Sequence, residues 1–70
     1  MFSYRLTQEQ RRIAHSRYLE FIKAGANPSS ARNAAEIITI KDFYPDYKRT
    51  PYDKADISVV WEALIAANKD

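Results

Sequence analysis

Apolar positions recur at spacings of three and four over three separate stretches of this chain, the period of helices that bury one face. In the first stretch, Ala14, Tyr18, Phe21 and Ile22 share a stripe with Ile13 and Arg17 at its edge, while Arg12, Ser16, Leu19 and Lys23 fall on the opposite side. In the second, Ala31, Ala34, Ala35 and Ile38 make the inner face, and the alanines allow a neighbouring helix to come close. In the third, Ile57, Val60, Trp61, Leu64 and Ile65 give the cleanest stripe. Trp61 is expected at the centre of the core, where its indole N–H would need a partner. Before the first helix, Phe2, Tyr4 and Leu6 alternate with polar residues, as in an extended arm laid against a bundle.

Punctuation between the stripes supports the same division. Thr7-Gln8-Glu9-Gln10 fits a capping box, and Gly25, the only glycine, is a natural left-handed stop. Asn27-Pro28 then supplies an N-cap with proline in the first helical position, and Thr50-Pro51-Tyr52-Asp53 repeats the signal with an acidic residue at N3. Residues 37–40, Ile-Ile-Thr-Ile, are β-branched and fit a strand by local preference; with no partner strand in sight they read as the last turns of the second helix. The expected fold is all-α. It is a compact three-helix bundle with a short extended N-terminal arm and an ordered aromatic loop between helices 2 and 3, forming one domain over residues 1–70.

Composition agrees with a packed domain of modest core. The chain has 70 residues, 46% of them apolar, and no cysteine, so neither disulfide nor thiolate metal site can staple it. No apolar run approaches the roughly 20 residues that cross a bilayer, and the start lacks the apolar segment of a secretory signal. The expectation is therefore a cytoplasmic protein with no membrane partner. Net charge is +2, unevenly placed: residues 1–23 carry five cationic side chains against two carboxylates, and residues 24–70 six against seven.

Reactive chemistry is scarce. The single histidine, His15, has no second ligand at metal-binding spacing, and Ser16 beside it diverges by about 100° on a helix, too far to form a nucleophile–base pair. One glycine cannot build a phosphate loop. The expectation is a non-enzymatic protein with no metal and no cofactor.

Two features can carry binding. Residues 41–54, KDFYPDYKRTPYDK, hold four of the nine aromatic residues and two of the three prolines in what should be a connection. Tyr44, Tyr47 and Tyr52 with Lys48 and Arg49 have the composition of a protein-binding hot spot, and Tyr47-Lys48-Arg49 should be its most exposed part. Phe43 and some of the tyrosines can equally close the end of the bundle. Arg12 and Leu19 form a second candidate patch. On this reading the protein docks on a larger protein or complex as an adapter, inhibitor or regulatory subunit; its oligomeric state stays open.

The second feature lies around Gly25. A helix ending Phe21-Ile22-Lys23-Ala24, a turn of Gly25-Ala26-Asn27 and a helix opening Pro28-Ser29-Ser30-Ala31-Arg32-Asn33 resembles the DNA-binding helix–turn–helix motif over about a quarter of the chain. The resemblance implies a nucleic-acid-binding regulator. Ser29, Ser30, Arg32 and Asn33 would open the recognition helix, and Arg11 and Arg12 would supply positive charge. An ordinary antiparallel helical hairpin carries the same Gly and Asn-Pro punctuation.

Overall fold

The computed structural model describes residues 5–69 as three helices, α1 (Gln8–Lys23), α2 (Pro28–Phe43) and α3 (Pro51–Ala67), with no strand among the described residues. Phe2 and Tyr4 of the expected arm lie outside the described residues. Residues 37–40 are helical, as their want of a partner strand requires. No helix among the described residues is long and apolar enough to cross a membrane.

Each boundary has a local cause. Thr7 accepts from the Gln10 N–H at 3.1 Å while the Gln10 side chain accepts from the Thr7 N–H at 3.0 Å, closing the capping box of α1. Gly25, at φ +96°, ends that helix. Its N–H reaches the Ile22 carbonyl and the Ala26 N–H reaches Phe21, the paired bonds of a Schellman turn, with Ala26 and Phe21 both buried in the core. Asn27 caps α2 through the Ser29 N–H. At its far end the Lys41 ammonium donates to the carbonyls of Pro45 and Tyr47, both at 2.7 Å, which folds residues 44–47 back over the helix terminus.

α2 is the central helix. Nine residues at about 100° each set Ser30 and Thr39 on opposite sides of it. The Thr39 side meets α1, where Arg17 donates to the Thr39 hydroxyl at 2.9 Å and pairs with Asp42 at 2.7 Å. The Ser30 side meets α3, through hydrogen bonds from Ser30 and Asn33. α1 and α3 touch each other only briefly. Ala31 and Ala34 are fully buried and Ala35 nearly so, and their small side chains let a helix approach from either flank. Phe21 and Val60 complete this core, and Ile37, Ile40 and Tyr47 form a second cluster at the loop end.

This arrangement corrects the reading of α3. Val60 is buried, with Ile57 and Leu64 half-buried beside it, but Trp61 is 58% exposed and Ile65 63% exposed. The apolar stripe of α3 is wider than one neighbouring helix can cover, and α1 stands too far round to cover the rest. Trp61 is therefore not the centre of the core.

The Arg17 bridge gives a first prediction. Thr39 still donates to the Ala35 carbonyl without it, and the ion pair is half in solvent. Arg17→Met is expected to cost only about 1 kcal/mol in urea unfolding, with the loss smaller in high salt.

Candidate functional site

The aromatic loop is built by the same residues that were expected to advertise it. Tyr44 is the C-cap of α2; its hydroxyl donates to the Arg5 carbonyl at 3.1 Å, tying the incoming chain to the loop. Tyr47 departs from expectation. It is 7% exposed rather than the tip of the turn, because its ring closes the cluster of Ile37 and Ile40 and its hydroxyl donates to Asp53 at 2.7 Å. Phe43, which with some of the tyrosines was expected to be able to close the end, is left 44% exposed. The tyrosine takes the place because it can satisfy a buried carboxylate as well as fill space, and phenylalanine cannot.

Asp53 is the polar hub beneath that ring. Its Oδ2 accepts from the Tyr47 hydroxyl and the Thr50 N–H, and its Oδ1 from the Asn33 amide at 3.1 Å. Asn33 sends its same amide nitrogen to Asp56 at 2.8 Å, and Ser30 donates to the other oxygen of Asp56 at 3.0 Å. Burial by itself would raise the Asp53 pKa; the hydrogen bonds from the Thr50 backbone, Tyr47, Asn33 and the Thr50 side chain outweigh it and hold the carboxyl below its ordinary value of 3.8.

The residues proposed to read nucleic acid are thus divided. Ser30 and Asn33 are committed to the α2–α3 contact, the Ser29 N–H is bound by the cap, and Arg32 lies over the Tyr18 ring at 5.7 Å. They share no single free edge of α2. Arg11 and Arg32 do come together, lining one cleft between α1 and α2, whereas Arg12 and Leu19 stand exposed on α1.

What stays outside is a surface along α3. Lys48, Arg49 and Lys54 are exposed near its start, with Tyr52 at 74% exposure. Lys54, Ser58, Trp61 and Ile65 follow at spacings of four, three and four, an outer row next to half-buried Ile57 and Leu64. Spacings of four and three are those of a heptad, and the apolar members of the row are Trp61 and Ile65. Trp61 and Ile65 escaped selection as site residues because an apolar stripe reads as core. The available signal was its width, five residues against the row of three that α2 covers. No known family, curated protein or solved structure matches the chain.

Proposed function

We propose that this is a non-enzymatic binding protein that docks on a larger protein by receiving an amphipathic, acid-flanked helix along α3. The observation that carries it is the exposure of Trp61 and Ile65 on a helix capped at its start by a capping box and at its end by Asn68. Tryptophan is the residue most enriched among binding hot spots, and here it adjoins a half-buried apolar floor rather than open solvent on all sides. The acidic flank follows from Lys48, Arg49 and Lys54, which are exposed and in no ion pair among the described residues, whereas the nearby Asp53 is buried and Asp56 half-buried, both held by hydrogen bonds from α2 and the loop. They would set the direction of the incoming helix more than its affinity.

Trp61 is the only tryptophan, so its emission reports the site directly. A synthetic helical peptide with a heptad apolar face and acidic ends should shift that emission to the blue, and one with basic ends should bind more weakly. Ile65→Glu should abolish the shift. Trp61→Ala, followed by calorimetry, should weaken binding about 30-fold or more, as a hot-spot residue does. A blue shift that grows with protein concentration in the absence of peptide would overturn this reading, because the face would then be closed by a second copy.

A further inference from the structure

We propose a second, independent site: the cleft between α1, α2 and the incoming chain binds a small organic phosphate monoester. The cleft encloses about 450 Å³, within the range of small-ligand sites. Arg5, Arg11 and Arg32 line it, with His15 beside them and Glu36 as the one carboxylate. None of the three guanidiniums has an ion-pair partner among the described residues. Three arginines against one glutamate leave two uncompensated positive charges in one concavity, which matches the −1.5 to −2 charge of a phosphate monoester near neutral pH. A carboxylate or a backbone phosphodiester brings only one.

The cleft also has a floor. Leu6, Ile40 and the Tyr18 ring provide apolar surface beneath the charged rim. Tyr18 is held in place by two neighbours, His15 stacked at 6.0 Å between ring centres and Arg32 at 5.7 Å from the ring centre. The Arg5 side of the cleft is set by the chain itself, since Tyr44 holds the Arg5 carbonyl and Leu6 packs against the Ile40 cluster. A ligand with a doubly charged head and a flat or aliphatic body fits this pairing, and planar guanidinium forks suit the phosphate oxygens. The site shares no residue with the α3 face, so either proposal stands without the other.

Phenyl phosphate is the probe, followed by amide shifts of Ala14 and Ala35 in heteronuclear NMR. Phenyl phosphate should bind more tightly than inorganic phosphate, which lacks the body, and more tightly than benzenesulfonate, which has one charge. Arg11→Gln and Arg32→Gln should each weaken it about tenfold or more, the effect of losing a charge-assisted hydrogen bond. Glu36→Gln should tighten it. Arg12→Gln, which removes the same charge from outside the cleft, should leave it unchanged. Equal weakening by Arg12→Gln and Arg11→Gln would overturn the site in favour of diffuse attraction. Preference for a single-stranded oligonucleotide over phenyl phosphate, with affinity falling steeply in salt, would overturn it in favour of a nucleic-acid surface.

Discussion

Asp53→Ala is expected to destabilise the protein by about 4 kcal/mol, a large share of the roughly 4–10 kcal/mol that a chain of this length commands. The carboxylate does three jobs at once. It completes the capping box of α3 with Thr50, anchors the buried hydroxyl of Tyr47, and receives the amide of Asn33 from α2. Alanine would take away the acceptor used by the Tyr47 hydroxyl and the Thr50 N–H and one of the two used by the Asn33 amide, which keeps Asp56; losing the acceptor beneath the buried tyrosine costs more than the bond itself is worth. Asp53→Asn separates charge from shape. It keeps one acceptor oxygen but turns an NH2 toward groups that themselves donate, and about 2 kcal/mol should be lost. The pH dependence should distinguish the two contributions. The folded pKa of Asp53 lies below its unfolded value of 3.8, so below about pH 5 the unfolded chain holds more protons at this position than the folded one. Its stabilisation is complete above that range and is lost as pH falls through 3.8 toward the folded pKa. Urea unfolding from about pH 2.5 to about pH 7 should show this acid limb in the wild type and a flatter one in Asp53→Asn. An unchanged limb would show that Asp53 is not the group responsible.

Asn33→Asp is expected to cost a similar amount through the opposite fault. The Asn33 amide stands between two carboxylates, Asp53 and Asp56, and donates to both. A carboxylate there is the same shape, but it removes both donors and puts three negative charges together, with no cation of the described residues hydrogen-bonded or ion-paired to Asp53 or Asp56. About 4 kcal/mol should go, most of it recoverable by partial acidification or by millimolar divalent cation, which three convergent oxygens would attract. Thermal unfolding with and without calcium measures both effects. Asn33→Ala, which loses the bonds without adding charge, should be milder and insensitive to calcium. If all three proteins melt alike, the bridge contributes nothing to the α2–α3 contact.

These two positions also show where the sequence was readable. The helix limits were legible because each is set by residues within four positions of it: Thr7 with Gln10, Gly25 with Phe21 and Ile22, Thr50 with Asp53. The all-α fold followed from those limits. Which face of each helix meets which neighbour was less legible, because it depends on α2 being central. Asn33 was read as a base-contacting residue by its chemistry, and only the antiparallel placement of α3 reveals that its partners are 20 and 23 residues away. Tyr47 looked exposed because proline and charge surround it, yet Lys41 folds the loop back and turns the ring inward. Trp61 looked central because tryptophan in an apolar stripe usually is; only the width of that stripe signalled that one side would stay uncovered, and it did not say which. The cleft was hidden because Arg32 is 21 residues beyond Arg11 and meets it and Arg5 only across the α1–α2 hairpin.

The central position of α2 has a kinetic consequence. Both of its partners are its immediate neighbours along the chain, joined by connections of a few residues, and the pair most distant in sequence scarcely meets. The ordering cost of closing long loops is therefore small, and contact order is low, the condition under which helical domains fold in microseconds to milliseconds. Either hairpin can form first, with α2 serving as the template on which the remaining helix condenses.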